Sequence, residues 1–267
     1  MFRLVTILLS LTLGVSACQD PWPEVSRLHG SPSIEAMSAL HRAALINDLS
    51  GLEAALAEGA DPKAVDTLGL TPLHLAASAK VAQILLTAGA APNARDQRLL
   101  TPLHLARKVE VVTVLLKAGA ELQAKNRYNF SPLHTALLMD RLKVAEALHA
   151  AGANLEAKAR NDMTPLHWAS LTGRDQALAW LIREGANIEA KNVYGCTALH
   201  EAENAFVVEQ LLKAGANLEA RDKQGMTPLH LARSSFVAEP LMRAGADALA
   251  RDHAGRTPLD MVAPEQE

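Results

Sequence analysis

Histidine is the residue type in this chain best placed to do chemistry. There are ten, and seven of them (His41, His74, His104, His134, His167, His200 and His230) occupy the fourth position of a recurring tetrapeptide. A row of imidazoles suggests a row of metal ligands. The spacing argues against it. The tetrapeptides start at residues 38, 71, 101, 131, 164, 197, 227 and 257, steps of 33, 30, 30, 33, 33, 30 and 30 residues. A fixed period of this size means stacked structural units. Packed helical layers lie roughly 8–10 Å apart, whereas a metal ion needs ligand bonds of about 2 Å. Successive imidazoles therefore cannot share an ion. His29, His149 and His253 lie outside the motif without suitable companions.

Other chemistry-bearing patterns are lacking in the sequence. It holds no His-Glu-x-x-His, no Gly-x-Ser-x-Gly, no phosphate-binding glycine loop and no Cys-x-x-Cys. His200-Glu201 lacks the second histidine of a zinc helix. Cys18 and Cys196 sit in very different contexts, so a disulfide framework is not expected, and Cys196 reads as a bystander in a turn. The expectation is a non-enzyme with no metal and no cofactor.

The elements that would hold these histidines follow from the unit at Thr164-Pro165-Leu166-His167. Thr164 is a helix N-cap whose hydroxyl can accept an early backbone N–H. Pro165 suits the first helical position, where no N–H is needed. Leu166 and Ala169 point inward from a short first helix, and Gly173 breaks the chain. Ala177, Leu178, Leu181 and Ile182 then give the three-four spacing of a buried helical stripe. Gly185 ends that second helix, and residues 187–194 return as a loop to the next motif. A glycine recurs at this helix end in all seven full units, from Gly59 to Gly245.

Helix, turn, helix, glycine stop and β-turn loop, with Thr-Pro-Leu-His at its head, resembles the ankyrin repeat. The resemblance spans residues 38–267 and implies an all-α repeat solenoid of about seven full units plus a C-terminal cap. It also implies that the motif histidine is structural, hydrogen-bonding between neighbouring loops. Departures are visible. The units at 71, 101, 197 and 227 lack three residues between the two helices, which predicts shortened first helices or tighter turns. Leu99, Asn129 and Asp162 replace the usual turn glycine. Pro240 lies early in a second helix and predicts a late helix start or a kink. The last unit, Thr257 to Glu267, has room only for a first helix and puts Asp260 in place of histidine.

The N-terminus reads differently. Arg3, an apolar run from Leu4 to Val15 and small Ser16-Ala17 have the layout of a secretory signal peptide over residues 1–17. Val15-Ser16-Ala17-Cys18 resembles a bacterial lipobox, which implies cleavage before Cys18 and acylation of it, palmitate included. Each buried CH₂ of such chains adds roughly 0.8 kcal/mol of anchoring. Gln19 after the cysteine implies the outer membrane of a Gram-negative bacterium, facing the periplasm. Ordinary cleavage and a soluble periplasmic product are the alternative. Residues 18–33, with Pro21, Pro23 and Pro32, form a tether reaching at most roughly 50 Å, and residues 34–267 form the repeat domain. Cleavage leaves 25 basic against 29 acidic residues, a net charge of −4. Without a Lys/Arg block, nucleic acid is not the expected partner.

Repeat proteins of this kind bind protein partners through turn tips and the exposed side of the first helices. Tip residues fall three to four positions before each motif, which marks Leu68, Arg98, Arg127, Tyr128, Arg160 and Tyr194. The residue before the motif adds Phe130, and the fifth motif position adds Trp168 and Glu201. Only eight aromatics lie beyond residue 17, and four of them stand on this ridge in the middle of the array; aromatics and Arg are the usual hot-spot residues. The expected function is a lipid-anchored periplasmic binding module. By architecture it is similar to immunity lipoproteins that neutralise envelope-directed toxins such as type VI secretion phospholipases. The alternative is an envelope scaffold or chaperone serving a periplasmic enzyme such as catalase.

Overall fold

Residues 37–261 are described in the computed structural model of the chain. The export segment, Cys18 and the tether lie outside them. The described residues form an array of helix pairs with no strand among them. Each second, or outer, helix from unit 2 to unit 7 is nine residues long: Ala79–Thr87, Val109–Lys117, Leu142–Ala150, Asp175–Arg183, Ala205–Lys213 and Ser235–Arg243. Unit 1 has an inner helix Ala39–Ile46 and an outer helix Leu49–Ala57. The glycine after each outer helix has φ between 84° and 98°, the left-handed C-terminal stop that only glycine adopts without strain.

The inner helices absorb the difference in repeat length. In the 33-residue units they run Pro132–Leu138 and Pro165–Leu171, seven residues each. In three of the 30-residue units they shrink to four, Pro72–Leu75, Pro102–Leu105 and Ala198–Glu201, the first and third in 3₁₀ form, and in the unit at Thr227 only a turn remains at residues 228–231. The missing three residues are about one helical turn. Shortening leaves C-terminal carbonyls without partners, and neighbours supply them. Arg141 donates to the carbonyls of Leu105 and Ala106 at 2.9 and 3.1 Å.

Pro240 does not delay its helix. Ser235 starts eight residues after Thr227, as Ala205 starts eight after Thr197. The proline sits inside the helix and is buried, at the loss of the N–H that would reach the carbonyl of residue 236.

The core runs through every unit as one apolar stripe. Leu73, Leu103, Leu133, Leu166 and Leu199 of the inner helices meet Leu85, Leu115, Leu148, Leu181 and Leu211 of the outer ones, all essentially fully buried. Each unit closes its apolar face only against its neighbours, the defining economy of a solenoid.

Candidate functional site: a ridge of turn tips and inner helices

The motif histidines position the ridge. In unit 2 the Thr71 N–H donates to His74 Nδ1 at 3.0 Å, and the Thr71 hydroxyl lies 2.9 Å from the same atom. Nδ1 therefore carries no proton. The proton sits on Nε2, which donates to the Leu100 carbonyl, one unit on, at 3.0 Å. The Thr hydroxyl thus meets the ring, as it does at Thr101, Thr164, Thr197 and Thr227, and at Thr71, Thr101, Thr164 and Thr197 threonine and histidine form a reciprocal capping box. The Nε2 link recurs from His41 to Leu70, His104 to Phe130, His167 to Cys196, His200 to Met226 and His230 to Arg256. Burial pushes the pKa of His104, His167 and His200 down to about 4 and of His134 to about 3, and lowers that of His74. Neutral rings are what this network needs. Asp260 ends the series: its carboxylate accepts from both the N–H and the hydroxyl of Thr257, and it has no second nitrogen to pass a bond onward.

The turn tips form a second link. The residue four before each motif donates its N–H to the tip carbonyl of the preceding unit: Gln97 to Leu68, Arg127 to Arg98, Arg160 to Tyr128, Val193 to Asn161, Lys223 to Tyr194 and His253 to Gln224, at 2.8–3.1 Å. Each tip is folded by an Asp or Asn five residues before the motif. Asp96 Oδ1 accepts from the N–H of Arg98 and of Leu100, and Asp66, Asn126, Asn192, Asp222 and Asp252 do the same. The sequence reading missed this row. Its signal was the recurrence of Asp or Asn at one fixed offset in six of seven turns.

The seventh turn, between units 4 and 5, has Ala159 at that offset. Without a carboxylate or amide to hold it, the segment Arg160–Asp162 takes a short 3₁₀ form, with Asn161 and Asp162 both left-handed. His134 feels the change. Its Nε2 has no hydrogen bond of ordinary geometry, although the Met163 carbonyl still acts on the ring electrostatically.

Across this same boundary an aromatic cluster has formed. Phe130 packs edge-on against Trp168 with ring centroids 5.3 Å apart, and lies 5.5 Å from the His134 ring and 6.4 Å from Tyr128. Phe130 is only 1% exposed. Leu70, Leu100, Met163, Cys196 and Met226, which also immediately precede motifs, are buried too, while Arg256, the last of the series, is half-buried. Phe130 is accordingly a support under the ridge rather than part of its surface.

The remaining candidates divide by exposure. Leu68, Arg98, Tyr128 and Tyr194 are half-buried at the tips, and Arg127 and Arg160 are exposed. Trp168 and Glu201, at equivalent positions of adjacent inner helices, are buried. Glu201 accepts from Asn192 Nδ2 at 3.2 Å and faces Arg233 at 3.8 Å. Burial outweighs both and raises its pKa to about 7. No group of three or more His, Cys, Asp or Glu residues able to hold a metal ion occurs among the described residues.

A sequence model of ankyrin repeats matches over residues 40–126, 80–159 and 133–222. The chain belongs to the ankyrin-repeat family. Two solved ankyrin domains share its architecture. The human ASB11 ankyrin repeat domain is 30% identical, with a TM-score of 0.71 over 79% of this chain and 99% of that one. The ankyrin repeat domain of Bcl-3, a member of the IkappaB family, is 28% identical, with a TM-score of 0.64 over 78% and 98%. No curated protein sequence matches significantly. Ankyrin-repeat domains are protein–protein interaction modules rather than enzymes, and the all-helical repeat fold of this chain is theirs.

Proposed function

We propose that this ankyrin-repeat protein is a lipid-anchored periplasmic inhibitor that binds and neutralises an envelope-directed toxin, a secreted phospholipase being the best-fitting class. The observation that carries the binding part is the ridge at units 3 to 6. There Tyr128 and Tyr194 stand half-exposed at linked turn tips, and Phe130 and Trp168 support one of them from below. Rigid aromatics at a ridge centre are the usual anchors of a protein interface. The anchoring part is supported by the export segment and by Val15-Ser16-Ala17-Cys18, which lie outside the described residues.

The test uses the lipase-like product of a neighbouring gene. Tyr128→Ala with Tyr194→Ala, and the triple variant adding Trp168→Ala, should each weaken its binding at least about tenfold. Unchanged affinity in the folded double variant removes the ridge from the interface. Expressed with the toxin, the wild-type chain should restore growth and Cys18→Ala should not, while the purified Cys18→Ala protein still binds.

A further inference from the structure

The sequence contains no run of basic residues, but the turns line them up. The residue six before the motif is Arg95, Lys125, Lys158, Lys191, Arg221 and Arg251 in six consecutive turns. It lies on the outer edge of the finger, on the opposite side from the Asp or Asn that folds the tip: most of these bases are exposed, whereas most of those acids and amides are buried.

What these cations touch matters more than their number. Arg95 meets Glu121 at 3.6 Å and Lys158 meets Asp162 at 3.0 Å. The others reach carbonyls. Lys125 donates to the Lys158 carbonyl at 2.7 Å and Lys191 to the Arg221 carbonyl at 3.1 Å. Arg221 donates to those of Gly225 and Arg251, both at 2.7 Å, and Arg251 to that of Gly255 at 2.6 Å. From the other direction Arg127 donates to the Gln97 carbonyl at 2.5 Å. A carbonyl fixes a cation in place without cancelling its charge. The finger edge therefore carries a preordered row of cations, beside which Glu121, Glu156, Glu189 and Glu219 set carboxylates in the same turns, and cations held at a fixed spacing steer association. Ordering the side chains in advance lowers the entropic cost of binding.

We infer that the finger edge is a docking strip for an acidic protein surface, one that presents carboxylates to successive repeats. This rests on the reading of the ridge as a protein-binding site and states the chemistry of the partner. The strip lacks the features of other polyanion sites. Nucleic-acid grooves interleave stacking aromatics with their bases, but here the two tip tyrosines, Tyr128 and Tyr194, stand three residues before their motifs and the bases six, in only two of the six turns. Membrane-seeking surfaces carry Trp, Phe or Leu beside most of their cations; here the exposed Leu249, two residues from Arg251, is the one such neighbour, and vesicle binding is an outcome of the test.

Poly-L-glutamate serves as the probe, with the purified full chain at low salt. Reversal of Lys191, Arg221 and Arg251 to Glu should weaken binding at least about tenfold. The matched reversal of Lys80, Lys143 and Lys213 on the outer helices should weaken it less than about threefold, the change expected from net charge alone. The neutral set Lys191→Gln, Arg221→Gln and Arg251→Gln covers the case in which reversal disturbs folding, and should also weaken binding. Equal losses in the two reversed sets would overturn the proposal. So would tighter binding of phosphatidylglycerol vesicles or single-stranded poly(dT), lost in the same strip variant. Retained poly-L-glutamate binding in the Tyr128→Ala, Tyr194→Ala variant separates this strip from the aromatic ridge.

Discussion

Leu99 stands where the turns after units 1, 5, 6 and 7 place Gly69, Gly195, Gly225 and Gly255. Its φ is +61°, and its side chain is 42% exposed. A left-handed residue with a Cβ costs roughly 1–2 kcal/mol, and little burial offsets it here. Leu99→Gly should raise stability by about 0.5–1 kcal/mol, part of the gain being lost to the freer unfolded chain. A urea midpoint no higher than wild type would show that the turn carries no strain. Asn129, at φ +61° in the next turn, is a milder case, since Asn tolerates this conformation. The strained turn was legible in the sequence, because a repeat exposes any substitution at a fixed offset. Burial of Asp96, Asp222 and Asp252 was not. An aspartate in a turn reads as surface, and only the two backbone N–H groups on each carboxylate explain why it lies inside.

At the scale of elements, outer helices kept their length while inner helices gave up one turn. The sequence showed both facts: the apolar stripe of each outer helix survives in every unit, and the three-residue loss falls just before it. Pro240 misled the sequence reading because a proline was weighed against an isolated helix. Here Val237 and Leu241 are packed in the core stripe, and that burial holds the helix to its full nine residues. The proline should still exert a cost. Pro240→Ala restores one backbone hydrogen bond, worth up to roughly 3 kcal/mol in propensity terms, and loses part of a buried ring. A net gain of about 1–2 kcal/mol is expected in chemical denaturation; a loss would mean that the ring packing outweighs the restored bond. The charge row on the finger edge had the same fixed-offset signature as the Asp and Asn row, and the sequence reading missed both. One base per thirty residues is unremarkable until the folded turns bring the copies side by side.

For the whole molecule, buried histidines dominate the response to acid. Those whose folded pKa is depressed bind protons more readily when unfolded. Their contribution is intact above about 6.5, the ordinary value, and is lost as pH falls toward about 4 for His104, His167 and His200 and about 3 for His134. Each can remove up to about 1.4 kcal/mol per pH unit across its window. Glu201 has the opposite sign. With its folded pKa raised from 4.5 to about 7, it favours the fold at low pH and withdraws that support as pH rises between those values. Several rings outweigh one carboxyl, so the melting temperature should fall steeply from pH 6.5 to 4.5. A flat profile over that range would contradict the neutral-ring network. In the Glu201→Gln variant, stability at pH 8 should exceed wild type.

The boundary between units 4 and 5 joins its neighbours by different means from the rest. Elsewhere a ring-to-carbonyl bond ties one repeat to the next and an Asp or Asn clamp fixes the turn between them. At this boundary Ala159 supplies no clamp and the His134 Nε2 approach to the Met163 carbonyl falls outside ordinary hydrogen-bond geometry, while the Asp140–Arg174 ion pair, the Asn187 N–H on Glu156 Oε1 and the Val193-to-Asn161 backbone link stand beside the Phe130–Trp168 pair. Apolar contact weakens on cooling; every joint shares the leucine stripe, and this one adds an aromatic pair to it. In a nearest-neighbour description of the array, this coupling therefore exchanges a directional ring-to-carbonyl bond for an aromatic pair, and it lies beneath the residues assigned to recognition.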